Sequence, residues 1–550
     1  MKLLESKFKL LSSLEKVFFD FPEELPTLKD ASLLKNEIYS FQLATYFKAE
    51  TDWDVKGNIV IDSELKDYIT IYKIDYVPGK MVVMPNEFGD DDFITKNPSY
   101  FPDLMHKLDG NNFVVPSERV TTFWFALEPR GEVIGRHNIT IKFYDEDDNF
   151  ISEVEHNVNI INAELPKQKL ICTGWFHGDC IAALHNVEIG SDEYYEIVGK
   201  FIDVYHKFGH NMILTPLFTP PLDTDVGAER PTNQLVKVTQ SNGEYTFDFN
   251  DLDRWIDICL ERGIEYFEMS HLFTQWGAEF TPKVMATVDG EYKRIFGWDV
   301  KALSEEYTGF LATFMPALIK YLKEKNVYDR CFFHVSDEPS EQHTEQYTRV
   351  SEIIREYVGK ERMMDAISDY VFFEKGLINR PVPSNDHIDP FLDNNVENLW
   401  TYYCCCQGNK VANRFMAMPS YRNRILGYQL YKYNIEGFLQ WGFNFWFGVR
   451  SRCVIDPHFV ADANNGFPAG DAFVVYPLDE TGEPETSLRL YVFNEGLQDM
   501  RALELLESLA GRETAESLLT DINRFADYPR SAEYILNLRD TINKKIEELI

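Results

Sequence analysis

The chain has 550 residues, of which 44% are hydrophobic and 14% aromatic, so a folded globular protein of two or three domains is expected rather than a disordered one. Its formal charge of −35 argues against nucleic acid or an anionic membrane surface as a partner, because both would be repelled. No run approaches the roughly 18 apolar residues of a membrane span. Glu5, Lys7 and Lys9 interrupt any secretory pattern, and the eight cysteines form no disulfide framework, so reduced thiols and a cytoplasmic location are expected.

Residues 1–165 are β-like. "NEIYSFQLATYFKA", "DYITIYKIDYV", "TTFWFALEP" and "HNITIKFYDEDDNFISEVEHNVNII" are alternating, β-branched or aromatic runs separated by turn residues, which predicts an antiparallel β-sandwich. A hairpin is expected across Asp145 to Asn149. The acidic loops there and at Asp90 to Asp92 lack the glycine and spacing of an EF-hand, so they read as solvated turns rather than calcium sites.

From residue 166 to 460 the texture changes. The runs "KLICTGWFH", "NMILTPLFTP", "IEYFEMSHLF", "CFFHVSDEP", "MMDAISDYVF", "LWTYYCC" and "GFLQWGFNFW" alternate with helix-like stretches such as "SDEYYEIVGKFIDVYHKFG" and "GFLATFMPALIKYLKEKN". With a weaker run at "INRPVPSND", this is the pattern of a (β/α)8 TIM barrel. Cys404 to Cys406 are consecutive, and a strand would send neighbouring thiols to opposite faces, so no chelating cluster is expected there. Residues 461–550 read as a short β run, "AFVVYPL", followed by helices packed on the barrel, the first of them ending at Gly511.

Barrel chemistry collects at the C-terminal ends of the strands. Those ends carry Trp175 and His177, Thr215 and Thr219, Glu268 and His271, Asp337 and Glu338, Asp369, Tyr402 and Tyr403, and Trp441 and Asn444. Carboxylates, aromatic faces and amides together suit carbohydrate. There is no P-loop, Rossmann fingerprint, HExxH helix or GxSxG elbow. In "DFNDLDRW", Trp255 stands where a chitinase-like pattern would need glutamate, so this stretch reads as the start of a helix.

"HVSDEPSEQH" holds the adjacent carboxylates Asp337 and Glu338. Their Cα atoms are only about 3.8 Å apart, so they cannot face each other across a sugar ring as an ordinary glycosidase pair does. They can serve a substrate that brings its own nucleophile. In a 2-acetamido sugar the acetamido oxygen attacks the anomeric carbon, Glu338 acts as acid and then base, and Asp337 orients the acetamido group. An ionised Asp337 is then expected to raise the pKa of Glu338. Spacing alone leaves the other reading open, a strand end solvated by its loop.

"HLFTQWGAEFTPKVMA", "TPLFTPPLDT", "FFHVSDEP" and "GFLQWGFNFW" together resemble glycoside hydrolase family 123, the β-N-acetylgalactosaminidases, and "NEIYSFQLATY" and "SLRLYVFNEGLQDMRALELL" extend the likeness over nearly the whole chain. The resemblance implies a sandwich followed by a (β/α)8 barrel, and retaining, substrate-assisted release of terminal β-linked GalNAc without metal or cofactor, with Asp337 and Glu338 as the catalytic pair. It also implies that Tyr402 or Tyr403 takes the acetamido carbonyl and that Trp441 walls the sugar. Trp175, His271, Gln275 and Trp276 would line the mouth, and Asn444 and His177 would bind hydroxyls. Val335 and Ser336 stand where the related β-hexosaminidase motif has two glycines. A GlcNAc-preferring hexosaminidase of the same mechanism and an inactive glycan-binding barrel are the alternatives.

Overall fold

Alternation of apolar and polar residues in the N-terminal strands produces two antiparallel sheets in a computed structural model that describes residues 2–51, 53–85, 89–131 and 133–550. One sheet orders the strands Leu3–Ser12, Tyr39–Ala49, Val120–Leu127, Ile69–Gly79 and Ser99–Lys107. The other orders Ala31–Leu34, Phe150–Ile161, Gly135–Asp145, Asp54–Asp62 and Asn112–Pro116, with one parallel pair at Ala31–Leu34. Phe41, Phe47, Phe113, Phe123, Phe125 and Phe143 fill the space between them. The strand Val120–Leu127 is apolar along both faces because both are covered. Phe123 and Phe125 point into this core, while Trp124 packs against Tyr491 of a C-terminal helix. The hairpin at Asp145 to Asn149 is present, and the Asp145 carboxylate accepts hydrogen bonds from the backbone amides of Asp147 and Asn149.

Short, mostly apolar and buried runs then give eight parallel strands, Ile171–Gly174, Met212–Thr215, Tyr266–Met269, Cys331–Phe333, Met364–Ala366, Arg380–Val382, Trp400–Tyr402 and Gly437–Gln440. In ladder order the fourth, third, second, first, eighth and seventh form one six-stranded sheet, and the fifth and sixth form a separate pair. Single bridges, Phe333 to Met363 and Ser384 to Tyr402, link the pair to the sheet on either side. The hydrogen-bonded ladder is therefore interrupted where a continuous eight-stranded ring was expected. Pro381 and Pro383 supply a physical reason, since proline has no N–H to give a neighbouring strand. The helices after the fifth and sixth strands, Val371–Glu374 and Asp389–Asp393, are only about a turn long, against 15 to 20 residues for Asp192–Lys207, Glu305–Glu324 and Thr344–Val358.

A four-stranded sheet not anticipated from the sequence, Lys237–Ser241, Glu244–Asp248, Val284–Val288 and Glu291–Phe296, is inserted between the early crossovers. Its two hairpins turn at Asn242-Gly243 and Asp289-Gly290, all four residues having positive φ, the conformation a tight two-residue turn requires. "DFNDLDRW" runs from the end of such a strand into the helix Asn250–Glu261, where Asp251 and Asp253 pair with Lys237 and Lys325.

The C-terminal run forms a hairpin, Val475–Leu478 with Pro484–Ser487, that extends the larger N-terminal sheet through Ser99–Lys107. Ser487 then caps the helix Leu488–Ala510, which stops at Gly511. The last helix is Ala532–Leu549. Among the described residues no helix is long and apolar enough to cross a membrane. Arg489, in the first of these helices, is buried and forms a double ion pair with buried Asp103 of the sandwich at 2.6 and 2.9 Å, while the Tyr476 hydroxyl donates to the same carboxylate.

Removing one partner of a buried pair strands the other charge, which costs about 3–5 kcal/mol. Asp103→Ala is therefore expected to lower unfolding free energy by that order in a urea titration, and a loss below about 1 kcal/mol would show that water reaches Arg489.

Candidate active site

The apolar fourth strand delivers His334 into the interior, where an imidazole needs partners for both nitrogens. Nε2 meets Glu268 Oε1 at 2.5 Å and Nδ1 meets Asp365 Oδ1 at 3.1 Å. Burial alone would lower its pKa, but hydrogen bonds to Asp365 and Glu268, and their charges, raise it to about 10, so the ring is an imidazolium. Glu268 also accepts from Thr173 Oγ1 at 2.6 Å and Trp175 Nε1 at 2.7 Å. Asp365 accepts from Tyr347 Oη at 2.6 Å and the Val335 amide at 2.9 Å. His271 stacks on His334 with ring centroids 4.2 Å apart, and burial and the neighbouring cation keep it neutral.

The ligand atoms of His271, His334 and Asp365 lie within 4.8 Å of one another, the one such group among the described residues. Both His334 nitrogens are already held by carboxylates, and the rings are stacked at 20°, so their in-plane lone pairs do not converge on one point. The donor set fits an ion-paired network rather than a metal.

Beyond Val335 the chain is fixed from both sides. The Phe273 amide donates to the Val335 carbonyl, the Ser336 hydroxyl to the Thr274 carbonyl, and the Trp276 amide to the Asp337 carbonyl at 2.9 Å. Glu338 follows with φ of 44°, a left-handed conformation just before Pro339, and its Oε1 accepts from Tyr402 Oη at 2.6 Å. Such a backbone costs about 1–3 kcal/mol and is found where the surroundings over-determine it. Asp337 is half-buried, and Glu338 opens to the pocket between walls that thin its hydration. Burial and repulsion by Glu338 lift the Asp337 pKa well above its ordinary value, against the pull of the His334 charge. Burial also raises Glu338, with the Tyr402 hydrogen bond opposing. The expected order of influence is thus reversed in this geometry: it is Asp337, the more enclosed carboxyl, that its neighbour pushes up.

The pair forms one wall of an open cavity of about 130 Å³. Of the residues picked out from sequence, Trp175, His177, Gln275, Trp276, Tyr402 and Trp441 line it with them. His177 is committed to structure: Nε2 bonds the Trp441 carbonyl at 3.0 Å and Nδ1 faces Arg230 at 3.2 Å. Trp441 is braced by its Nε1 on Asp471 at 2.9 Å and by the rings of Phe445 and Phe467. Trp276 is 41% exposed under the guanidinium of Arg450.

Three expected contacts lie elsewhere. His271 is buried beneath the floor. Tyr403 points away from Tyr402, as strand alternation dictates, and packs on Phe438. Asn444 spends both ends of its amide on the His177 backbone. Thr215 and Glu268 are interior, Thr219 is buried in a bridge to Lys283, and Asp369 is exposed and accepts from the Glu341 amide. The strand before the cysteines stops at Tyr402, so Cys405 and Cys406 lie in a turn with sulfurs 3.7 Å apart, contrary to the alternation expected of them.

Sequence reasoning passed over Asp223, the third carboxylate on the wall. It follows the second strand in an irregular loop with φ of 42°, accepts from the Arg450 amide at 2.7 Å, and burial raises its pKa to about 6. Gln275 holds this loop by accepting from the Asp223 amide at 2.8 Å. The aspartate of "TPPLDT" carried no pattern beyond its place after a strand end.

A family model described as glycoside hydrolase 123, catalytic domain, matches residues 175–506. Among curated proteins none matches the chain. Among solved structures, a family 123 glycoside hydrolase from Clostridium perfringens, analysed for glycolipid glycan hydrolysis, aligns over 99% of this chain and 97% of its own with a TM-score of 0.74 and 14% identity, a likeness of fold. A β-glucuronidase from Parabacteroides merdae aligns over 89% of this chain and 52% of its own at 11% identity, but its TM-score of 0.31 is too low to carry any argument.

Tyr402→Phe removes the hydrogen bond that opposes burial at Glu338, so the Glu338 carboxyl is expected to titrate at higher pH than in wild type. Infrared difference titration of the carboxyl band reads this, and an unchanged or lower midpoint would show that the bond does not favour the ionised form.

Proposed function

Because the chain belongs to glycoside hydrolase family 123, we propose that it is an exo-acting, retaining glycosidase that releases terminal β-linked N-acetylgalactosamine by substrate-assisted catalysis. The observation that carries this reading is the adjacency of Asp337 and Glu338 on one wall, where they cannot take opposite faces of a sugar. The Clostridium enzyme's action on glycolipid glycans supports a glycan of that kind as substrate. We read the parallel strands as one eightfold barrel over residues 166–460, with a sandwich at 1–165 and an extension at 461–550.

In this mechanism the sugar ring rests against Trp441 and Trp175, and its acetamido group turns toward Asp337 and Tyr402. The acetamido N–H donates to Asp337, and the positive charge developing on the group favours the ionised aspartate, so the pair's proton settles on Glu338. Glu338 gives that proton to the glycosidic oxygen as the acetamido carbonyl oxygen attacks the anomeric carbon. The resulting oxazolinium ion carries its positive charge beside Asp337. Glu338, now ionised, takes a proton from water, which opens the oxazolinium from the face the leaving group left, so the anomeric configuration is retained. Tyr402, hydrogen-bonded to Glu338, steadies the carboxylate in its strained conformation.

Asp223 supports a second reading, in which an enzyme carboxylate acts as nucleophile or base opposite Glu338. The two readings separate on the substrate, because only the first needs the acetamido group.

Aryl β-GalNAc, β-GlcNAc and β-Gal glycosides assayed side by side are expected to show hydrolysis of the first, far slower turnover of the plain galactoside, and inhibition by GalNAc-thiazoline. Faster GlcNAc release would assign a hexosaminidase instead, and hydrolysis of none a binding protein. Asp337→Asn is expected to lower kcat on the aryl β-GalNAc substrate by about 10²–10³. Glu338→Gln is expected to suppress turnover of poor leaving groups most. Near wild-type rates in both variants would remove the pair from the mechanism.

A further inference from the structure

The turn after the seventh parallel strand presents a feature that glycoside hydrolysis does not use. Cys405 and Cys406 Sγ lie 3.7 Å apart. Cys404 and Cys405 line the pocket with Glu338, and Cys406, next in the turn, is exposed. The turn is held from beneath rather than left to bend freely. Gln407 Oε1 accepts from the Cys404 amide at 2.9 Å, and Asn413 Nδ2 donates to the Cys404 and Gln407 carbonyls at 2.9 and 3.0 Å, both side chains being buried.

A tetrahedral d10 cation with sulfur ligands at about 2.3 Å spaces two thiolates about 3.8 Å apart. The observed separation matches that edge without a change of backbone. Glu338 stands on the same pocket lining as Cys404 and Cys405. Thiolates, as soft ligands, select zinc and similar soft tetrahedral cations over magnesium or calcium.

We propose that the Cys405–Cys406 turn binds one soft d10 divalent cation at the pocket rim and that its occupancy shuts down the sugar site. The two sulfurs bond to the cation as thiolates, any protons they carry pass to water, and water completes the coordination; no electron is transferred. The cation and its waters then occupy space beside Glu338, and its charge favours the ionised carboxylate, which no longer serves as an acid. Binding is independent of the pocket's function, whereas the inhibition rests on its assignment as the glycosidase site.

Titrating the reduced protein with Cd²⁺ is expected to produce the ultraviolet thiolate-to-cadmium charge-transfer band, saturating at one ion per chain, and to inhibit β-GalNAc hydrolysis with the same midpoint. Mg²⁺ should do neither, and a chelator should reverse both. Cys406→Ser is expected to lose the band and the inhibition while retaining hydrolysis, and Cys453→Ser, a lone exposed thiol elsewhere, to keep both. No band in wild type, or a band that survives in Cys406→Ser, overturns the site. A band that saturates without inhibition overturns its effect on the pocket. If the protein hydrolyses no glycoside at all, the band still tests the site while the functional assignment fails separately.

Discussion

The buried relay of Glu268, His334 and Asp365 is the constraint from which the geometry of the site follows. Two carboxylates and one imidazolium sit among the parallel strands where aliphatic side chains would otherwise pack, and each of their oxygens and ring nitrogens has a partner: Thr173 and Trp175 on one side, Tyr347 and the Val335 amide on the other, with His334 between the carboxylates. The network joins the ends of the first, third, fourth and fifth parallel strands and the helix after the fourth. A buried ionic network is weak evidence of stability, since its members lose hydration. It has strong directional preferences, however, and here those directions fix the point at which the chain leaves the fourth strand toward Asp337 and Glu338. The same charges act through space on Asp337, which feels His334 as a cation and Asp365 and Glu268 as anions.

Around this anchor the pocket is built from loops held in uncommon conformations. Asp223, Trp276, Ala278, Glu338, Arg450 and Ser451 all have positive φ without being glycine. Each is held by a hydrogen bond from another segment: Gln275 to Asp223, Asp223 to Arg450 and Ser451, Trp276 to Asp337, Gln346 to Ala278, and Tyr402 to Glu338. Strain distributed in this way fixes side chains that a freely chosen backbone would leave mobile, which suits a glycosidase that must hold a sugar in one orientation. The thiol turn after Tyr402 reaches the same pocket, where Cys404 and Cys405 stand on the lining with Glu338.

Much of this was legible before any coordinates. The apolar runs mark the eight parallel strands because those strands are covered on both faces, and the adjacent Asp337 and Glu338 at a strand end do line the pocket. What escaped has physical reasons. Period-2 alternation says that one of Tyr402 and Tyr403 faces the pocket but not which, since both neighbouring environments are apolar. His271 and Glu268 sit at a strand end as a site residue would, yet turn inward to the relay. Asp223 lies on an irregular loop where no periodicity applies. The inserted hairpins were signalled by Asn242-Gly243 and Asp289-Gly290 but lay inside segments read as crossovers, and the pairing of the C-terminal hairpin with the N-terminal sheet is a contact across several hundred residues that local pattern cannot encode.

The central claim is that the nucleophile belongs to the substrate. It is tested most directly with aryl β-GalNAc glycosides whose acetamido methyl carries zero, one, two or three fluorines. Fluorine drains electron density from the carbonyl oxygen while leaving the leaving group and the rest of the sugar nearly unchanged. The account predicts that kcat falls steeply with each fluorine, because that oxygen forms the new bond in the transition state. A rate nearly independent of fluorination would contradict it and would move the nucleophile to an enzyme carboxylate, Asp223 being the one on the pocket wall outside the adjacent pair.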